Sequence, residues 1–315
     1  MKNKLILSAL LFLAQKNYAA INRNIEFKPT ASVLVAVIDT GTDIHHKSLK
    51  NFIWVNEGET GKDRFGRDKA TNGVDDDDNG FVDDVHGWNF VDNNNDLSDR
   101  EGHGTHIAGI IKSEFNSHSP AKELRMMILK YYNPKATDSE NIVNTVSAIN
   151  YATKMHARII NYSGGGSQPS PGEKQAIESA RESRVLFVAA AGNNRSNTDL
   201  LKYFPANYAL DNIISVAATD SEGVLENFSN FGKDSVDLAA PGKSVYSTLP
   251  HDSFGFMSGT SQATAFVTGA AARLLADAGP LLPTQVLTEL LAGARFNKSL
   301  LGKTKFQLAM IGSGK

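Results

Sequence analysis

Apolar positions along this chain follow two periods. The runs "SVLVAVID" (32–39), "ELRMMILK" (123–130), "RIINYS" (158–163), "RVLFVAAAG" (184–192) and "NIISVAAT" (212–219) are too uniformly apolar to leave one face wet. They read as strands of a parallel sheet covered on both sides. Between them, "DSENIVNTVSAINYATKMH" sets Ile142, Val146 and Ile149 at helical spacing, and "SPGEKQAIESARES" opens with Ser170, Pro171 and Glu173 in a capping-box arrangement. The run "SGTSQATAFVTG" (258–269) predicts another helix, whose small residues suit a path through the core until Gly279-Pro280 stops it. Strand and helix in alternation imply right-handed crossovers and an α/β fold, a doubly wound, mostly parallel sheet flanked by helices. No repeat or low-complexity linker interrupts residues 32–312, which read as one domain.

Composition narrows the chemistry. The 315 residues are 41% hydrophobic and can bury a sizeable core, while the net charge of −2 argues against a nucleic-acid partner or attraction to anionic membranes. With no cysteine, disulfides, thiolate catalysis and Cys-ligated zinc are excluded. Lys2 and Lys4 precede an apolar stretch from Leu5 to Ala14, the layout of a secretory signal peptide over residues 1–20, with 21–31 as a short N-terminal segment. The stretch is too short to span a bilayer comfortably, so the expectation is a secreted or periplasmic protein, against the alternative of a retained N-terminal helix.

In open α/β sheets ligands sit beyond the carboxyl ends of strands, which singles out "DTG" after Ile38, "SGGG" after Tyr162 and "GNN" after Ala191. Asp39 alone reads equally well as a turn former. His103 stands in "EGHGTHIAG" with His106 three residues on, but a zinc protease motif wants histidines at i and i+4 with an intervening Glu, and His106 reads as a satisfied polar residue. Ser261 in "GTSQATAFVTG" needs a base to take its proton and a carboxylate to orient that base. Asp39, His103 and Ser261 supply these roles in the order Asp, His, Ser; an α/β-hydrolase esterase would need G-x-S-x-G and the order Ser, Asp, His.

Together "VAVIDTG", "GHGTHIAG", "AAAGNN" and "SGTSQATAFVTG" resemble, in this order, the signature segments of the subtilisin-like serine proteases (subtilases), over roughly residues 32–280. The resemblance implies a subtilisin-like three-layer αβα fold and a serine endopeptidase acting on polypeptides. It implies Asp39 as the orienting carboxylate, His103 as general base and acid, Ser261 as nucleophile, and Asn193 as oxyanion donor with the Ser261 N–H as partner. Ser163, Gly164 and Gly165 then match the segment that pairs with an extended substrate, although a glycine cluster is also ordinary loop punctuation. Ser258, Thr260 and Thr264 are left to capping and packing. Gln262 and Ala265 depart from the usual Met and Pro, and Asp39 follows the hydrophobic stretch too closely for a folded pro-segment. The rival is an inactive binding module using the same groove, which the retention of all three residues and Asn193 disfavours.

Within residues 56–100, "GVDDDDNGFVDDVHGW" holds six carboxylates between Asp75 and Asp84. In the frame of Asp75 it reads D-x-D-x-N-G, nominating Asp75, Asp77, Asn79, the Phe81 carbonyl and Asp83 as calcium ligands; His86 replaces the expected Glu, so the loop is not an ordinary EF-hand. The expectation is a structural calcium insertion, against a solvated acidic loop.

Overall fold

The computed structural model describes residues 32–116, 123–279 and 281–310. The expected signal peptide and the segment 21–31 lie outside the described residues. Strand β1 (Ser32–Asp39) shows why a continuous apolar run was required: Val33, Val35 and Val37 enter one core, while Ala36 and Ile38 enter the other. Each of the Val and Ile side chains, fully buried, contributes about 1.5–3 kcal/mol.

Along the chain follow β2 (Gly87–Asn89), α1 (His103–Asn116), β3 (Glu123–Lys130), α2 (Asp138–Lys154), β4 (Ile159–Tyr162), α3 (Pro171–Glu182), β5 (Leu186–Ala190), β6 (Ile213–Thr219) and β7 (Leu238–Pro241). A hairpin, β8 (Val245–Leu249) and β9 (Ser253–Met257), precedes α4 (Thr260–Ala278), α5 (Pro283–Gly293), β10 (Arg295–Phe296) and β11 (Leu308–Ala309). The main sheet has the order β10-β11-β7-β6-β5-β4-β1-β3-β2, parallel except between β10 and β11. Helices α1 and α4 pack on one face and α2 and α3 on the other, giving three layers.

The five expected strands are all present and parallel. The short β2, β7, β10 and β11 and the hairpin had no sequence forecast, because two- to five-residue strands carry too few positions to show a period. The two capping boxes differ. At α2 the box is complete, the Thr137 side chain accepting from Glu140 N–H and the Glu140 carboxylate accepting from Thr137 N–H (2.8 Å). At α3 only half forms: Ser170 Oγ accepts from Glu173 N–H, but the Ser170 N–H goes to the Tyr208 hydroxyl (2.8 Å), leaving the Glu173 carboxylate turned inward. Helix α4 is buried along most of its length, and the crossing with α1 is close because a Cβ on Gly269 would lie 2.7 Å from the Ile111 carbonyl.

Candidate active site

Strands β1, β4 and β5 are neighbours in the sheet, so the loops after Asp39, Tyr162 and Ala190 leave it along one edge. Asp39 ends β1 and is buried; its Oδ1 accepts from Thr40 N–H (2.8 Å) and lies 2.7 Å from His103 Nδ1, at the first residue of α1. That contact puts the imidazole proton on Nδ1 and leaves the Nε2 lone pair as the base. Gly104 permits the approach: a Cβ there would lie 2.0 Å from the Gly41 carbonyl. Burial acts to lower the His103 pKa, but the charge and hydrogen bond of Asp39, with the charge of Asp99, outweigh it and hold the group above its ordinary value.

Ser261 sits in the first turn of α4, where its N–H has no intrahelical acceptor. Its hydroxyl donates to the Ser163 carbonyl (3.0 Å), and Ser163 Oγ donates back to the Ser261 carbonyl (3.2 Å), so the segment after β4 is stitched to the start of α4. Behind this pair, buried Thr268 donates to Asn161 Oδ1 (2.9 Å), and Asn161 Nδ2 donates to Ser163 Oγ (3.1 Å). The nearby Asn193 accepts on Oδ1 from the Thr260 N–H (2.8 Å) and hydroxyl (3.1 Å), which sets the amide's orientation and leaves Nδ2 as a donor. A Cβ on Gly259 would lie 2.9 Å from Gln262 Oε1.

The glycines after Ser163 are required by close neighbours. A Cβ on Gly164 would lie 2.2 Å from the Tyr131 hydroxyl, and Gly165, at φ +151°, would place one 2.5 Å from the Phe204 carbonyl. Gly166 exchanges both backbone hydrogen bonds with Phe204 (2.9 and 2.7 Å), whereas Ser163, Gly164 and Gly165 belong to no ladder among the described residues.

His106 is fully buried: its Nε2 donates to the Val245 (3.1 Å) and Gly255 (3.2 Å) carbonyls, and its Nδ1 has no partner. Burial pushes its pKa down, and the ring clips the β8–β9 hairpin to α1. Asp99 carried no sequence forecast, although an Asp shortly before an apolar helical run is an N-terminal signal. Its carboxylate accepts from the N–H groups of Gly102 and Thr105 (both 2.8 Å) and from the Thr40 hydroxyl (2.8 Å), tying α1 to the loop after β1. Thr260, expected only to cap and pack, orients Asn193.

In the acidic loop two of the nominated carboxylates meet a third from outside the motif. Asp75 and Asp77 converge with Glu59, their ligand atoms all within 4.8 Å of one another. Glu59 is fully buried; its Oε1 accepts from Asp76 N–H (2.7 Å) and its Oε2 has no partner. Its pKa is raised, by burial first and then by Asp84, Asp77 and Asp76, with the Asp76 N–H opposing. Of the other nominated residues, Asn79 bonds Asp77 and Asp84 through Nδ2 and gives its carbonyl to Lys154, Phe81 packs its ring against Trp88, Phe90 and Tyr151, and Asp83 accepts from Gly73 N–H. The carboxylates that converge are therefore Glu59, Asp75 and Asp77, and Glu59, which arrives from a separate turn, is an addition that an EF-hand frame read along the chain does not see.

The profile of the Subtilase family matches residues 30–306. The chain is 35% identical to subtilisin DY of Bacillus licheniformis over 210 residues, covering 65% of this chain and 75% of that protein. It is 32% identical to the major intracellular serine protease of Bacillus subtilis (strain 168) over 248 residues, covering 76% of this chain and 67% of that one. Among solved structures, a cold adapted subtilisin-like serine proteinase superposes with a TM-score of 0.67 at 27% identity, covering 93% of each chain.

Proposed function

The chain belongs to the subtilase family and is a serine endopeptidase of the subtilisin type, and from that premise we propose that Ser261, His103, Asp39 and Asn193 carry its reaction. The observation that bears most weight is the 2.7 Å hydrogen bond from His103 to buried Asp39, at the edge where Ser261 opens α4. In the reaction the Ser261 hydroxyl leaves the Ser163 carbonyl, turns to His103 Nε2 and attacks the scissile carbonyl as its proton passes to the imidazole. The oxyanion is held by Asn193 Nδ2 and the Ser261 N–H, at a helix N-terminus whose dipole favours negative charge. His103 then protonates the leaving amine, an acyl-enzyme remains on Ser261, and water attacks it with His103 again as base. The Ser163 carbonyl, released by the hydroxyl, is free to accept a substrate N–H, and Gly164 and Gly165 offer the next backbone groups to an extended chain.

Calcium fits the acidic loop as a structural cofactor. A fully buried Glu59 oxygen without a partner, facing two further carboxylates, lacks only a hard cation. Glu59, Asp75 and Asp77 would hold it, and its charge would offset their repulsion without entering the reaction. Export through the N-terminal segment is kept as part of this reading, supported by Lys2, Lys4 and the apolar stretch; one relative is named intracellular, so cell fractionation is the direct check. Among the described residues no single helix is long and apolar enough to cross a membrane.

The test of the assignment is reaction with a serine-directed fluorophosphonate, the adduct being located by mass spectrometry. An adduct on Ser261, absent in Ser261→Ala, is expected; labelling at another residue, or none in folded protein, overturns it.

A further inference from the structure

Two polar side chains behind the candidate site stand where the elements that carry them pack apolar ones. Strand β4 sends Ile159 into the core shared with α1 and α4, and Ile160 into the opposite one. Alternation puts Asn161 on the Ile159 face, beside Val37 of β1 and Val188 of β5, and it has no exposed surface. Thr268 of α4 is also fully buried, in a helix whose Ala265, Val267 and Ala271 enter that same core. The two meet through one bond, from the Thr268 hydroxyl to Asn161 Oδ1 (2.9 Å). A pair of apolar residues of like shape would fill this place without desolvating an amide and a hydroxyl, so packing does not account for it.

The pair has a direction. With Oδ1 taken by Thr268, the Asn161 amide turns Nδ2 toward Ser163 and donates to its Oγ (3.1 Å). Ser163 Oγ then sends its own proton to the Ser261 carbonyl (3.2 Å), and the Ser261 hydroxyl returns to the Ser163 carbonyl (3.0 Å). Thr268 comes seven residues after Ser261, about two helical turns, so the chain of donors begins and ends on one face of α4. Without the Thr268 hydroxyl, Oδ1 is stranded in the core. It can regain a donor by turning to Ser163 Oγ, which takes away the proton now given to the Ser261 carbonyl.

Ser163 leans on this chain of bonds because Ser163, Gly164 and Gly165 belong to no ladder among the described residues. Side-chain bonds are what tie the segment to the start of α4. We propose that Thr268 is a positioning residue for the reaction: through Asn161 it holds Ser163, and through Ser163 it holds Ser261 in place for attack. Thr268 itself touches no reacting atom. The proposal rests on the endopeptidase reading above and adds a core residue to the groups that set the rate.

It is tested with Thr268→Val, which keeps the shape and removes the hydroxyl, assayed on one internally quenched peptide with active sites counted by fluorophosphonate. kcat per active site should fall about tenfold, near the upper end for one neutral hydrogen bond, and Thr268→Ser, which restores the donor, should recover it to within about twofold of wild type. The decisive measurement is the cycle with Ser163→Ala, a change at a half-buried position that the fold should tolerate. In that background the chain of bonds is already cut, so Thr268→Val should cost nothing further. A residue that serves stability alone behaves otherwise: Tm falls, kcat per active site stays, and the two substitutions add. An unchanged kcat in folded Thr268→Val, no recovery in Thr268→Ser, or full additivity overturns the proposal while leaving proteolysis intact. If Thr268→Val does not fold, Thr268→Ala, which brings no new bulk into the core, is judged by the same criteria. A wild type that cleaves no peptide and leaves Ser261 unlabelled overturns the endopeptidase reading instead, and this proposal with it.

Discussion

The rim around Ser261 and the acidic loop around Asp75 both gather buried oxygens, yet they hold them by different means. Asp39, His103 and Ser261 hang from a strand end and two helix N-termini whose backbones are locked into the apolar core. Their spacing is set by packing and needs no ligand. Glu59, Asp75 and Asp77 come from 3-10 turns and bends, kept in place by local bonds such as Asn79 N–H to Asp75 and Asp77 (both 3.0 Å) and Gly80 N–H to Asp75 (2.7 Å). Two carboxylates within 4.8 Å repel by about 3–4 kcal/mol at an effective dielectric near 20. The proposed reacting residues thus hang from regular elements packed in the core, whereas the acidic cluster is assembled from turns and bends, where a bound ion would itself supply the attraction.

The sharpest way to break this contrast is Ser261→Ala. The fold should survive, since the residue packs among small neighbours, and kcat should fall by about 10⁶, the magnitude seen in subtilisin. Burst-free residual hydrolysis measured on folded protein checks it. Next is Asn193→Ala, expected to lower kcat by about 10²–10³ with KM nearly unchanged, again a size taken from subtilisin. If KM moved instead, Asn193 would be contacting the ground state.

The pH profile probes the rim's electrostatics. Only neutral His103 accepts the Ser261 proton, so kcat/KM should fall about tenfold per pH unit on the acid side, with a midpoint above the ordinary histidine value of about 6.5. Asp99→Asn, which can still cap α1, should move that midpoint down; a midpoint indifferent to the change would show that Asp99 acts only through structure. The loop offers the mildest test. Calcium at 100 times its dissociation constant adds about 2.7 kcal/mol, or roughly 5–10 °C in Tm for a domain of this size, and a chelator should remove it. Glu59→Gln should blunt that response, while kcat per folded molecule stays as it was. A Tm unmoved by chelator would return the loop to a solvated acidic insertion.

Much of the scaffold was legible in order along the chain. The five continuous apolar runs became parallel strands because burial on both faces leaves a signature that no neighbour is needed to read. The motif residues at strand ends likewise came to one edge, as the topology of an open α/β sheet requires. The acidic loop was legible as a place, with Asp75 and Asp77 in it, but Glu59 was not, because it lies sixteen residues before Asp75 in a different turn.

Sequence alone determined the alternation of strands and helices, the resemblance carried by Asp39, His103, Asn193 and Ser261, and the exclusion of thiol chemistry. These depend on local periods, on short motifs and on inventory. Tertiary structure decided which amide face Asn193 presents, that Asp99 braces α1 behind His103, that Glu59 joins Asp75 and Asp77, and that Glu173 turns inward from its own cap. Each of those is set by a partner far away in the chain, Thr260, Thr40, Asp77 or Tyr208, and a hydrogen bond or a burial between distant residues exists only once the layers have packed.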